Sequence, residues 1–417
     1  MTLIRARSLL SPTGLIDNGW VEIDGTRIRA WGQGEPLETA PDPGHAAPRT
    51  PDPGHAARSR SIHDCRGEHG FCNCAQNAGS QFPTVTIDGI VAPGFVDVHC
   101  HGGGGASFDG GPEQAATVLA THLRHGTTTM VASLVTADLP ELESQVRALA
   151  PLVTDGSLAG IHLEGPWLSE QHKGAHAADL LRDPVVADID RLLDAGGGAV
   201  RMVTIAPEKP GALAAIRHLA SRGVTVAVGH TAADLDTAKA AIAAGARGAT
   251  HLFNAMPDIL HRAPGPGLAL WHDPDVWVEL ICDGVHVHTD LIAQVMATKP
   301  DKTVLITDAM AAAAAADGDY VLGQLPVEVR QGVAHISGTT TVAGSTLTLS
   351  RAVRTAVAAG VGLETALLSA TAHPADYLGL TDVGRLAPGT WADLVCLDDD
   401  LNVTQVMRHG QWVDSAE

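Results

Sequence analysis

The stretch GFVDVHCHGGGG, residues 94–105, decides the fold. Its first half is an apolar, β-branched run of the kind that fills a buried parallel strand, and it ends in two histidines and four glycines. Five more runs share this grammar: GIHLEGP (160–166), VTVAVGHT (224–231), ATHLFNAM (249–256), VELICDGVHV (278–287) and TVLITDAM (303–310). Each carries, at its C-terminal end, a residue able to bind a metal or move a proton: Glu164, His230, His251, Asp283 with His286, and Asp308. In a (β/α)8 barrel the strand C-termini converge on one face, so residues about two hundred positions apart can meet in one site. Four histidines, a glutamate and an aspartate placed this way point to metal-assisted hydrolysis.

Working outward, eight strands are expected at 94–99, 127–134, 158–164, 200–206, 224–230, 248–252, 276–282 and 303–308. Between them, segments such as PEQAATVLATHLRHG (112–126), PELESQVRALAPL (140–152) and DLDTAKAAIAAG (234–245) have helical periodicity and glycine stops. Strands alternating with helices imply a parallel sheet, and eight repeats imply closure. The ends differ. LIRARSLL (3–10) and GWVEIDGTRIRAW (19–31) read as short strands with turns at Pro12–Gly14 and Asp24-Gly25, and the tail after Ala392 is strand-like again. The expected organisation is a small β-sandwich module from 1–38, 85–92 and 382–417, beside an α/β TIM-like barrel over 93–381. An insertion at 39–84 interrupts it. TAPDPGHAAPR (39–49) and TPDPGHAARSR (50–60) nearly repeat, and a segment so rich in Pro, Gly, Ala and Arg is expected to stay disordered. His63, Cys65, His69, Cys72 and Cys74 lie within it; a small zinc knot competes with a plain insertion, but their spacing matches no established zinc pattern.

Composition narrows the function. The chain has 417 residues, enough for a barrel of about 250 and a smaller module. Its formal charge of −20 excludes a basic nucleic-acid surface. No apolar stretch reaches the roughly 18 residues of a membrane span, and the N-terminus shows no export signal, so the cytoplasm is the expected compartment. Six cysteines, crowded in part between 65 and 74, do not make a disulfide framework.

The candidate site residues each have a competing structural reading. His99 and His101 alternate on a strand and so share a face, with Cys100 turned away; the glycines that follow favour ligands over core histidines. A buried Glu164 needs a cation or strong donors to stay ionised, the alternative being a salt bridge. His162, two residues earlier, is expected one layer deeper as a packed histidine. His230 and His251 are ambiguous alone, but with Glu164 they supply three protein ligands and leave room for water. Asp308 is the candidate general base and acid, a helix cap being its structural alternative.

HLEGPWL (162–168), KGAH (173–176), TIAPE (204–208), VGHT (228–231), HLFNAMP (251–257), CDGVHV (282–287), TDAM (307–310) and AGSTLTLS (343–350) occur in a telling order. The chain resembles, over about residues 85–400, the N-acetylglucosamine-6-phosphate deacetylases of the amidohydrolase superfamily. The tail GRLAPGTWADLVCLD (384–398) looks like the superfamily's returning β segment. The resemblance implies an essential divalent metal on Glu164, His230 and His251, and a second on His99 and His101 with Glu164 bridging. Zinc is the expected ion, with iron, cobalt, manganese or cadmium as other occupants. It further implies that Asp308 is the catalytic aspartate and that His176 polarises the acetamide carbonyl. Asn254 and Ala255 would bind phosphate, and Arg262 and His286 would recognise the phosphorylated sugar, Arg262 by reaching across a homodimer interface. Two departures stand out: the insertion, and six alanines (311–316) where the family has Gly and Pro, expected to stiffen a loop beside the site. The galactosamine epimer is an alternative substrate. A dihydroorotase-like cyclic amidase would show a bridging Lys at position 164, and a non-catalytic sugar-phosphate sensor would not need Asp308.

Overall fold

The computed structural model describes residues 1–36 and 83–414. The Cys/His cluster at 63–74 and the near-repeats at 39–60 lie outside the described residues.

Eight parallel strands form one sheet in chain order: Phe95–Cys100, Thr127–Val135, Gly160–Glu164, Val200–Ile205, Thr225–Val228, Gly248–Ala249, Trp277–Ile281 and Thr303–Ile306. All eight expected strands are present. They form because their residues are apolar and β-branched and can be buried on both faces; every residue of Phe95–Cys100, Gly160–Glu164 and Thr303–Ile306 is buried. The ring closes just beyond the last strand. Asp308 N donates to His99 O at 2.8 Å and His101 N to Ala309 O at 2.8 Å. Closure therefore sets Asp308 beside the two histidines of the first strand.

Helices cover the outside. Leu139–Thr154 is capped by the Asp138 carboxylate, which accepts from Glu141 N, and buries Leu139, Leu142, Val146 and Leu149 on one face. Leu235–Ala244 starts in the same way from Asp234.

A second, seven-stranded sheet draws on both ends of the chain. Its order is Gln411–Trp412, Val403–Arg408, Leu394–Leu397, Thr84–Pro93, Thr2–Ser11, Gly14–Asp24, Arg27–Gln33. It has its own core of Ile4, Leu9, Val21, Ile28, Val91 and Leu394. Strand Thr84–Pro93 runs through Gly94 into the first barrel strand, and Gly94 is needed there because a side chain would strike Thr128.

The sequence reading did not anticipate a three-stranded antiparallel sheet, Gly318–Leu322, Leu325–Arg330 and Val333–Ile336. It packs against the barrel mouth through Val135, Met310, Ala312, Leu322, Val327 and Ala343. The alanine run leads into it as a series of turns. Ala311, Ala312 and Ala313 are buried, and Gly104 N and Gly105 N donate to Ala313 O and Ala311 O, both at 2.8 Å.

Candidate active site

The polar residues that end the barrel strands meet at its C-terminal face. His99 and His101 present their Nε2 atoms to the same space, 3.2 Å apart, while the Cys100 thiol turns away toward Gly102 O. Glu164 stands between two pairs of imidazoles. Its Oε1 lies 3.1 Å from His251 Nε2 and 3.3 Å from His230 Nε2; its Oε2 lies 3.1 Å from His101 Nε2. His230 Nε2 and His251 Nε2 face each other at 3.0 Å. Asp308 Oδ1 is 3.3 Å from His101 Nε2 and 3.6 Å from His99 Nε2. His230, His251 and Asp308 have φ of 46°, 31° and 47°, a left-handed backbone that side chains disfavour. Such strain gathers where a site over-determines it.

These residues fit a divalent cation. Ligand atoms at about 2.0–2.1 Å around a tetrahedral ion lie about 3.3 Å from one another, close to the spacing of Glu164 Oε1, His230 Nε2 and His251 Nε2. Facing imidazole nitrogens repel unless a proton or a cation lies between them. Most outward ring nitrogens are anchored as ligating histidines require: His230 Nδ1 on His172 O at 2.9 Å, His101 Nδ1 on Ser133 O at 3.2 Å, and His99 Nδ1 on the Glu279 carboxylate at 3.2 Å. His251 Nδ1 is the exception, buried without a partner. The donor atoms of His99, His101, Glu164 and Asp308 all lie within 4.8 Å of one another, as do those of Glu164, His176 and His230.

Electrostatics agree. Burial opposes charge on His101, but hydrogen bonds to Asp308 and Glu164 and their charges outweigh it and lift its pKa to about 9. Burial would likewise raise Asp308, yet the charge of His99 and the hydrogen bond with His101 pull it down to about 2. Glu164 is driven well below the ordinary carboxylate range by His99, His101, His176 and His230, against the effect of its burial. The two carboxylates hold positive charge at the mouth, which a divalent cation supplies as well as protons do.

His176 lies beside this group, its Nε2 3.6 Å from Glu164 Oε2. Burial, reinforced by the charge of His230, lowers its pKa to about 4, so it is neutral near pH 7. Its Nδ1 faces Thr136 Oγ1 at 2.8 Å and the Thr136 N–H at 3.4 Å. With Nδ1 accepting, the ring proton sits on Nε2, toward the site. His162 is packed one layer down, bonded to Ser133 Oγ and Thr204 Oγ1, with burial holding it well below its usual pKa.

A cavity of about 470 Å³ opens above, lined among others by Glu164, His176, His230, His251, Asn254, Ala255, His286 and Asp308. His286 is oriented by Asp283, whose Oδ2 is 2.7 Å from His286 Nδ1 and whose Oδ1 accepts from Val285 N and His286 N. Asn254 turns its amide back to His251 O and Leu252 O. Arg262 is not brought in: it is exposed and outside the cavity lining. The sequence reading missed Thr136, which sets the His176 tautomer, and Glu279 behind His99. The only signal for Glu279 was a lone charge inside the apolar run VELI.

A model described as "Amidohydrolase family" matches residues 90–413. An N-acetylgalactosamine-6-phosphate deacetylase of Escherichia coli O157:H7 is 38% identical over 329 residues, covering 77% of this chain and 87% of its own length. An N-acetylglucosamine-6-phosphate deacetylase of Danio rerio is 38% identical over 349 residues, 78% of this chain and 84% of its own. The solved N-acetyl-D-glucosamine-6-phosphate deacetylase from Mycobacterium smegmatis superposes with a TM-score of 0.86 and 44% identity, over 99% of this chain and 100% of that one.

Proposed function

Because the chain belongs to the amidohydrolase family, among its N-acetylglucosamine-6-phosphate deacetylases, we propose that it hydrolyses N-acetylglucosamine 6-phosphate to glucosamine 6-phosphate and acetate. The observation that carries this reading is one cavity lined by four metal-type ligands, His101, Glu164, His230 and His251, with Asp308 and a neutral His176, and with His99 buried against His101. Glu164, His230 and His251 would hold one divalent ion, and His99 and His101, with Glu164 shared, a second; zinc is our choice from the N- and O-donor set. A bound ion would supply Lewis acidity to the amide carbonyl and lower the pKa of water at the site.

This chain's own residues do the rest. His176 donates its Nε2–H to the carbonyl oxygen as negative charge develops there. Asp308, unprotonated near pH 7, takes the proton of the attacking water on its carboxylate and returns it to the departing nitrogen. Without that return the amine is too poor a leaving group. Asn254, the backbone at Ala255, and His286 on its Asp283 support would bind the phosphorylated sugar, holding the acetamide against Asp308. We assign Arg262 to the site of a partner subunit in a homodimer; its exposure beside exposed Ile259 and Leu260 supports an interface there. Among the described residues no helix is long and apolar enough to cross a membrane. A dianionic sugar phosphate does not cross a bilayer unaided, which supports a cytoplasmic enzyme sharing its substrate's compartment.

The 38% identity to the E. coli galactosamine enzyme favours a second reading, the C4 epimer. The test is release of free amine by metal-supplemented protein from both epimeric 6-phosphates and from unphosphorylated N-acetylglucosamine. The glucosamine phosphate is expected to react fastest and the unphosphorylated sugar hardly at all. Equal rates with and without phosphate would overturn the reading; a faster galactosamine phosphate would select the epimer.

A further inference from the structure

We propose that Glu279, anchored by Tyr377, is a positioning residue that sets the His99 imidazole to hold the second ion of the site. The inference rests on the metal assignment above but not on the identity of the sugar.

Glu279 is a carboxylate on the strand Trp277–Ile281, wholly withdrawn from water inside the barrel wall. A buried carboxylate is costly unless its oxygens are matched, and both of these are. Oε2 lies 3.2 Å from His99 Nδ1, and Oε1 accepts from the Tyr377 hydroxyl at 3.1 Å. Because a carboxylate offers only acceptors, the His99 proton must sit on Nδ1, which leaves the Nε2 lone pair facing His101, Glu164 and Asp308. His101 reaches the same tautomer through a backbone carbonyl, Ser133 O. His99 relies on a charged side chain instead, so its geometry and basicity depend on one replaceable residue.

A second, independent feature shows that this support is built in. Tyr377 comes from the helix Ala372–Tyr377, far along the chain, and is itself buried. It reaches Glu279 across the strand Gly248–Ala249, where any side chain at Gly248 would collide with the phenol hydroxyl. The barrel wall thus gives up a side chain at 248 to admit the hydroxyl that fixes Glu279. His162, packed edge-on to His99 at a ring distance of 4.6 Å, closes the other side. The imidazole is left one orientation.

The test is uptake of cobalt(II) by metal-stripped protein, followed by visible absorption and by metal analysis. Wild type is expected to take up two equivalents. Glu279→Gln keeps the shape and removes the charge; it should bind the first equivalent as before and the second about 10–100-fold more weakly. Tyr377→Phe, which keeps Glu279, should weaken the same equivalent by a smaller factor. Unchanged binding of the second equivalent in Glu279→Gln, or equal loss of both, would overturn the proposal. If Glu279→Gln does not fold, Tyr377→Phe decides, and an unaltered second equivalent in that variant is equally fatal. A wild type that takes up one equivalent and still turns over sugar phosphate would sink this inference while leaving the function intact. Two equivalents with no turnover of either epimer would sink the function and not this.

Discussion

Glu164 and Asp308 at the mouth of the barrel and Asp393 at its seam with the seven-stranded sheet are similarly withdrawn from water, at 2%, 8% and 4% exposure. Their electrostatic fates are opposite. At the mouth, the imidazoles of His99, His101, His176 and His230 outweigh burial and hold the carboxylates below their usual range. At the seam, Asp393 Oδ1 accepts from His409 N at 2.6 Å, Oδ2 has no hydrogen-bond partner, and burial pushes the pKa up to about 6. The difference lies in what was assembled around the group rather than in depth. Charge at the mouth is matched by donors whose spacing also suits a divalent cation; charge at the seam is merely endured, which marks the first as a candidate site and the second as structure.

The sharpest way to break that comparison is to neutralise each side. Asp308→Asn keeps the shape of the mouth but removes the proton acceptor, and kcat is expected to fall about 10²–10⁴-fold. An ion on Glu164, His230 and His251 should be retained, because the groups that meet at Glu164 Oε1 are untouched. Turnover near wild type at full metal content would show that Asp308 is only another buried carboxylate. At the seam the same change should help. Asp393 has a folded pKa of about 6 against an ordinary 3.8, so the folded state binds its proton more tightly than the unfolded chain does. Its charge therefore costs stability, fully above pH 6, progressively less as the pH falls toward 3.8, and not at all below that. Asp393→Asn retains an acceptor for His409 N and should stabilise by about 1–2 kcal/mol at pH 8, with the gain fading by pH 4. Melting curves at the two pH values measure it. A loss of stability at both would mean that the charge is matched after all.

How much of this was legible in the sequence follows the same division. The strand ends were readable because each couples an apolar run to one polar residue, a pattern that burial enforces. Their limits were not: the run 224–230 ends as a strand at Val228, because His230 turns into a left-handed backbone to face Glu164. His286 was recognised by its motif, and the structure adds that Asp283 aims it. Glu279 showed only as a lone charge in an apolar run, since its meaning lies in His99, 180 positions earlier, and in Tyr377, 98 later. The sheet over 318–336 escaped because its strands are short, and their outward residues, such as Asp319 and Glu328, read as loop. Arg262 shows the limit of one chain: its position is legible, but within this subunit it is exposed and outside the cavity lining.

The smallest expected effect concerns the connection between Gln33 and Thr84. Strand Arg27–Gln33 lies at one edge of the seven-stranded sheet, three positions from Thr84–Pro93, and the two run in the same direction. The chain must cross three strand spacings, about 14 Å, and return along a strand about 23 Å long, a path of about 27 Å. At about 3.3 Å per residue some nine residues suffice, so twelve Gly/Ser residues in place of 37–82 should join the strands without strain. A connection shortened roughly fourfold closes at about 1 kcal/mol lower entropic cost. The melting temperature should therefore hold or rise slightly, while kcat/KM and metal content stay at wild-type values. Among the described residues, the candidate ligand atoms at the mouth come from residues 99–308. Loss of one zinc per chain with loss of stability would restore the knot of His63, Cys65, His69, Cys72 and Cys74 and add a third region to the comparison. Loss of turnover with metal retained would instead mean that the seam, through strand Thr84–Pro93 and its continuation into Phe95–Cys100, sets the position of His99 and His101.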